Sequence, residues 1–271
     1  MLHRGVSLQD YLPRTPIAGG VPASDLFEST WAGSPHADQL ERICAAAVDV
    51  LGSGQTVWRV RNDGSGSLSW ELYWWSHAER QPLDALELVL SKARIELHPD
   101  IDRTVLSRLA PLCLSFDLPL AGPDTLGAIN LYMPLLPATA GYYSLGGGDL
   151  TFQGTQTRYE LPEQLDKFQA DVAASPHLLS SPLDEVVPIP IRRTRWLYLT
   201  HKPTCDGIYS AGLDLASFEW FLETFRYPPA LCELVASKRD RLGHLCFDVG
   251  YNVTTLGGGT RFGTSGFYGS I

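Results

Sequence analysis

The chain has 271 residues, 44% of them hydrophobic, enough to bury a large core. Its formal net charge of −9 argues against a general nucleic-acid binder, because phosphate contacts need a surplus of Lys and Arg. No stretch approaches the roughly 20 consecutive apolar residues of a membrane-crossing helix, so no membrane partner is expected.

The chain reads as one domain over residues 1–271, opened by an irregular Pro- and Gly-rich arm over residues 1–30. That arm has no continuous apolar run and is not expected to be a signal peptide. The five cysteines (Cys44, Cys113, Cys205, Cys232, Cys246) are odd in number and widely spaced, which fits reduced thiols in a cytoplasmic protein. Residues 36–52 place Leu40, Ile43, Ala47, Val50 and Leu51 on one helical face, ending at Gly52. The first hairpin is expected over 55–62 with 67–75. A second helix over 82–97 repeats the apolar spacing with Leu83, Leu86, Leu90, Ala93 and Leu97.

A second hairpin is expected over 111–121 with 126–133, followed by a short link at 134–148. A third pairs 149–153 with 156–161, and a helix over 162–174 is opened by Pro162. The fourth hairpin, 194–202 with 207–213, leads into a helix capped by Asp214 and another opened by Pro229. The fifth pairs 243–254 with 260–270. Each hairpin is joined by a short Gly, Asp or Pro turn, too short for a parallel crossover. Five hairpins give roughly ten antiparallel strands, an α+β arrangement in which a closed β-barrel is wrapped by α-helices.

Neighbouring strand residues point to opposite sides, so the apolar set of each strand should face the helices. The other set is then inward: Arg59 and Arg61; Glu71 and Tyr73; Asn130 and Tyr132; Arg158 and Glu160. From the last hairpins come Trp196, Tyr198, Thr200 and Lys202, then His244, Cys246 and Asp248, joined by Tyr209 and Tyr268. So many charges make a costly dry core, whereas a solvated or ligand-filled chamber suits them. The same alternation fits the solvent face of an open sheet, and closure is favoured because it removes exposed edges.

Other motifs are weaker. The Gly-rich runs 146–149 and 256–260 match no phosphate-binding loop and read as hairpin turns, the second placed to act as a lid over a barrel mouth. His201 and His244 lack metal-ligand spacing, and no GxSxG elbow is present. Trp74-Trp75 and Tyr142-Tyr143 suit packing and rim contacts equally.

The segments QTVWRVRN–SLSWELYWW, LSFDLPLAGPDTLGAINLYM, RWLYLTHKP with IYSAGLDLASFEWFL, and HLCFDVGYN with SGFYGSI resemble the ABBA (PT-barrel) fold of soluble aromatic prenyltransferases, most closely the cyanobactin-type peptide prenyltransferases. The resemblance covers roughly residues 37–271. It implies a closed ten-stranded barrel in which an allylic diphosphate, dimethylallyl or geranyl, ionises with Mg²⁺ held by its phosphates and not by the protein. A peptide or amino-acid side chain then captures the allyl cation, as in the biosynthesis of ribosomal peptide natural products. It implies diphosphate contacts from Arg59, Lys202 and Tyr209, to which the inward Arg158 and Tyr132 are added as candidates. Tyr73, Trp196, Tyr198 and Tyr268 would shield the cation and line the acceptor pocket.

Two positions depart from the family pattern. The carboxylate at the start of the first strand falls near Gln55, and a cationic position on the fourth strand is Asn130. Glu71, Glu160 or Asp248 must then take the proton or orient the nucleophile. Several carboxylates would suit an arginine guanidinium acceptor; a small phenol or indole, or a noncatalytic barrel that binds an anion, are the alternatives.

Overall fold

The computed structural model describes residues 20–52, 55–75, 82–106, 108–118, 124–178, 181–256 and 259–270. In chain order the first elements are helices α1 (Ala23–Trp31) and α2 (Ala37–Leu51), then strands β1 (Thr56–Asn62) and β2 (Leu68–Trp75). Next come α3 (Pro82–Ala93), β3 (Glu96–Leu97), α4 (Arg103–Leu106), β4 (Cys113–Leu118), β5 (Thr125–Leu126), β6 (Ala128–Leu136), β7 (Thr139–Gly146) and β8 (Asp149–Glu160). Helices α5 (Leu165–Ala174), α6 (Leu183–Val186) and α7 (Ile189–Arg192) lead to β9 (Trp196–His201) and β10 (Asp206–Leu213). The described chain ends with α8 (Leu215–Thr224), α9 (Pro229–Ser237), α10 (Arg239–Leu242), β11 (Phe247–Leu256) and β12 (Gly259–Ser270).

Ten of these strands close into an antiparallel barrel in the order β1-β12-β11-β10-β9-β8-β7-β6-β4-β2. Closure is made by β1 against β12, with Arg59 opposite Tyr268 and Asn62 opposite Ser265. The open-sheet alternative is thereby excluded. Strands β3 and β5 form a separate two-stranded parallel ladder.

The main apolar core lies between the barrel's outer face and the helices. Trp58, Leu72, Trp74, Phe116, Leu131, Leu197, Leu199, Val249 and Phe267 all point outward and are at most 1% exposed. Against them α2 buries Leu40, Ile43, Ala46 and Ala47, and α3 buries Leu86, Val89, Leu90 and Ala93. Trp58 stacks on Phe27 of α1 at 4.8 Å and meets Phe267 edge-on at 5.7 Å. Each such fully buried large side chain is worth about 1.5–3 kcal/mol relative to exposure.

Several expectations need correction. Residues 23–31 form α1, so only residues 1–19 of the expected arm lie outside the described residues. Leu97 belongs to β3, because the chain leaves α3 at Arg94 with φ 57°. Pro162 sits in a turn before α5, which begins at Leu165.

The largest change is in the third hairpin. Residues 149–160 form one continuous strand, β8, and its partner is β7, inside the stretch taken as a link. The turn is Gly147-Gly148, both at positive φ (61° and 86°), where glycine carries no Cβ penalty. Gly154, taken as part of a turn, lies at φ 144° opposite Tyr142 beside a bulge at Gln153, and a Cβ there would fall 2.0 Å from the His201 carbonyl oxygen. Residues 257 and 258 of the expected lid lie outside the described residues.

Candidate functional site

Register stacks the inward side chains of β2 and β4 in levels. Glu71 faces Asp117, then Tyr73 faces Ser115, then Trp75 faces Cys113. On β1, Arg61 and Arg59 occupy the outer levels, with Arg59 opposite Glu71. On the adjacent strand β6, Asn130 pairs with Ser115 and Tyr132 with Cys113. The interior holds two adjoining cavities.

The outer cavity holds about 510 Å³ of empty space, open mouth included, and is strongly polar. It is lined by Arg59, Arg61 and Lys202, by Glu71 and Asp117, by Tyr132, Tyr142 and Tyr209, and by Asn130, Gln156, Thr200, Asn252 and Thr264. The inner cavity, about 320 Å³ with its opening included, is lined by Tyr73, Trp75, Cys113 and Tyr268 and shares Tyr132, Gln156 and Tyr209 with the outer one.

Glu71 is the hub of the outer cavity. Arg59 Nη1 donates to its Oε2 at 3.2 Å, and the Ser115 hydroxyl donates to its Oε1 at 2.6 Å. Asn130 Nδ2 reaches both Glu71 Oε1 and Ser115 Oγ at 3.4 Å. Burial alone would push this carboxyl up, but Arg59 and Arg61 outweigh it and hold it below its ordinary range. Glu71 is therefore ionised in the folded protein.

At the mouth, Arg61 Nη1 donates to Asp117 Oδ1 at 2.5 Å. Burial and the nearby Glu71 charge push the Asp117 carboxyl up in spite of Arg61. On the opposite wall, Lys202 Nζ donates to Asn252 Oδ1 at 2.8 Å and to the Tyr209 hydroxyl at 3.4 Å. An ammonium has three N–H groups, so one stays available to a ligand. Burial disfavours ionisation of Tyr209, yet Lys202 and Arg59 overcome it and lower its pKa.

Two glycines let these groups lie flat on the wall. A Cβ at Gly250 would fall 2.2 Å from the Tyr209 ring, and one at Gly266 would fall 2.2 Å from Arg59 Nε. In the inner cavity Tyr73 lies 5.9 Å from Tyr268 and 6.4 Å from Tyr132, and Tyr209 lies 6.4 Å from Tyr268, by ring centroids. The Arg59 guanidinium sits 5.3 Å above the Tyr268 ring. Burial drives the phenols of Tyr73, Tyr132 and Tyr268 well above their usual values, so all three are neutral.

The barrel brings together Glu71, Arg59, Lys202, Tyr209, Tyr132, Tyr73 and Tyr268 of the expected site. Glu160 lies elsewhere and pairs with Arg195 at 2.7 Å, half-exposed. Arg158 stacks on the Trp196 ring at 4.4 Å, and Arg195 also lies over that ring, at 4.8 Å. Tyr198 is buried in the aromatic cluster of the interior, and none of Arg158, Trp196 and Tyr198 lines the two cavities.

Asp248 is buried opposite Tyr268 but lines neither cavity; it accepts the Gly212 N–H at 3.0 Å, and burial pushes its carboxyl well up. His244 and Cys246 are not inward strand residues, because β11 begins at Phe247 and Cys246 is exposed.

The residues not singled out from sequence are Asp117, Ser115, Gln156, Asn252, Thr264 and Cys113, with Tyr142 and Trp75 noted only as paired aromatics. Asp117 and Ser115 share one face of LSFDL, so the alternation that found Glu71 reaches them too.

Among the described residues no group of three or more His, Cys, Asp or Glu is placed to hold a metal. The two chamber carboxylates are each paired with an arginine. A divalent ion held by protein ligands does not fit this set, whereas one carried by a substrate's phosphates needs no protein ligand. Among the described residues no helix is long and apolar enough to cross a membrane.

No protein-family model and no curated protein matches the chain. Among solved structures it is similar to a 6-dimethylallyltryptophan synthase from Micromonospora olivasterospora, crystallised in complex with DMASPP and Trp. The TM-score is 0.50 at 11% identity, over 93% of this chain and 98% of that one. The chain has the ABBA (PT-barrel) fold.

Proposed function

We propose that the protein, as one cytoplasmic barrel domain, transfers a prenyl group from an allylic diphosphate to an amino-acid side chain, free or within a peptide. Dimethylallyl diphosphate is the leading donor. The observation that carries this reading is a cationic chamber that adjoins an aromatic one, the two sharing Tyr132, Gln156 and Tyr209 in their walls. The neighbour's complex with DMASPP and Trp supports the same pairing of substrates.

In this reading Arg59, Arg61 and Lys202 receive the diphosphate, with phenols of Tyr132, Tyr142 and Tyr209 at hand to donate hydrogen bonds. Mg²⁺ carried by the diphosphate would offset the negative charge on its oxygens and so make it a better leaving group. The allylic C–O bond breaks and its electron pair leaves on the diphosphate. The Tyr73, Tyr268 and Tyr132 rings present their π faces to the allyl cation and exclude water from it. The acceptor's lone pair or π electrons form the new bond to the allyl carbon, and its proton passes to the ionised Glu71.

Within this class we favour an arginine side chain in a peptide substrate of natural-product biosynthesis. Asp117 stands at the half-open mouth, one strand from Glu71, and offers a carboxylate to a guanidinium. An indole or phenol acceptor is the second reading, supported by the aromatic lining of the inner cavity. Incubation with dimethylallyl or geranyl diphosphate, Mg²⁺ and peptides carrying arginine, tyrosine or tryptophan, read by mass spectrometry, tests all of these. A product heavier by one prenyl group on the arginine peptide is expected. Prenylation of the tryptophan peptide alone would overturn the arginine assignment, and diphosphate binding without any product would favour a noncatalytic barrel.

A further inference from the structure

We infer that Trp75 and Cys113 form the floor of the inner cavity and limit the donor to a single isoprene unit. This rests on the reading of the outer cavity as the diphosphate site. The two residues face each other across β2 and β4, and Cys113 is fully buried. They are the deepest of the three inward levels on these strands, below Glu71–Asp117 and Tyr73–Ser115.

Distance along the strands decides the length. Two residues advance about 6.6 Å, so the floor lies about 13 Å along the strand from the Glu71 level, and less along the axis because barrel strands tilt by roughly 35–45°. An isoprene unit extends roughly 5 Å from its bond lengths. A dimethylallyl tail starting beside Arg59 and Lys202 therefore ends among Tyr73, Tyr132 and Tyr268. A geranyl tail runs one unit further and meets Trp75 and Cys113.

The walls at that depth are aromatic. Tyr132 stands opposite Cys113 on β6, and Tyr268 closes the β12 side beside Tyr73. Neither floor residue is charged: burial pushes the Cys113 thiol well above its ordinary pKa, and Trp75 carries only a neutral indole N–H. The floor therefore selects by shape and not by charge.

The test measures affinities of the intact protein, by calorimetry with Mg²⁺, for inorganic pyrophosphate and for the unreactive dimethylallyl and geranyl S-thiolodiphosphates. The wild type should bind the dimethylallyl compound at least about tenfold tighter than the geranyl one, a typical cost of misfit in an apolar pocket. Trp75→Ala and Cys113→Ala should each shift that ratio toward geranyl, Trp75→Ala by about tenfold. Cys113→Leu should weaken the dimethylallyl compound; the two truncations carry the test should Cys113→Leu not fold. A ratio that stays constant in both truncations overturns the floor assignment alone. A wild type that binds neither thiolodiphosphate more tightly than pyrophosphate overturns the prenyl reading beneath it as well.

Discussion

Arg59 and Glu71 face each other in register across β1 and β2, and the guanidinium donates to the carboxylate at 3.2 Å with both side chains at most 10% exposed. The pair joins a cation able to meet diphosphate to a carboxylate able to take a proton. Removing one partner leaves the other buried and uncompensated, at a cost of about 3–5 kcal/mol. Arg59→Ala should therefore lower the melting temperature sharply, and adding Glu71→Gln should restore part of the loss. Equal melting temperatures for the single and double variants would show that the pair does not hold the chamber.

Lys202 separates anion binding from stability. Its ammonium is partly exposed and donates to Asn252 and Tyr209 without a carboxylate partner among the described residues. Lys202→Ala removes one charge-assisted contact worth about 1.5–3 kcal/mol, or roughly 10- to 100-fold in affinity. Pyrophosphate affinity should fall by that factor, with a smaller change in melting temperature than Arg59→Ala gives. Titration calorimetry and a thermal melt on the same sample decide it.

Gly250→Ala should act through Tyr209. The added methyl carbon would lie 2.2 Å from the Tyr209 ring and displace it, whereas at Gly263 the nearest atom would be 3.5 Å away. Overpacking of this kind costs about 1–3 kcal/mol. Gly250→Ala should lower both the melting temperature and the affinity for pyrophosphate, and Gly263→Ala should do so far less. The reverse order would place Tyr209 elsewhere.

Glu71 and Asp248 should give stability profiles of opposite sign with pH. Glu71 is held below its ordinary pKa, so its contribution is present at neutral pH and fades as pH falls through the folded value. Asp248 is raised well above its unfolded value of 3.8, so the folded chain keeps a proton that the unfolded chain gives up, and stability falls as pH rises past that value. Asp248→Asn keeps an oxygen for the Gly212 N–H and should raise the melting temperature at pH 8, with the gain vanishing near pH 4. Calorimetric melts across that range would reveal a missing or inverted trend.

Asp117 should matter to the acceptor more than to the donor. Asp117→Asn should raise KM for an arginine peptide while a tryptophan peptide, which carries no charge to pair, changes less. Parallel changes for both peptides would remove Asp117 from acceptor recognition.

Period-two alternation was enough to place β1, β2, β9 and most of β11, because their outward faces are apolar sets against helices, whereas β12 was paired through its turn with β11. Alternation misplaced the third hairpin because Gly154 looks locally like a turn and sits beside a bulge inside a long strand. It also missed β7, whose inward Tyr142 and outward Tyr143 are alike in polarity and show no period. Glu160 and Arg158 pass the alternation test yet sit at the end of β8 next to Trp196, away from the chamber; facing can be read from alternation, whereas depth needs the register between strands. Of the two departing positions, Asn130 lies in the chamber and donates to Glu71, whose strand pairs with β1.

The seam between β1 and β12 has a kinetic side. Arg59 and Tyr268 lie 209 positions apart (268 − 59), yet they are partners in the ladder that seals the barrel. Pairings of such sequence separation form late, since the chain between them must be ordered first. Until then β1 and β11 present free edges able to recruit strands from other molecules. Nascent or refolding chains should therefore aggregate in proportion to concentration until β12 docks, and binding sites on both sides of the seam come into being in that same step.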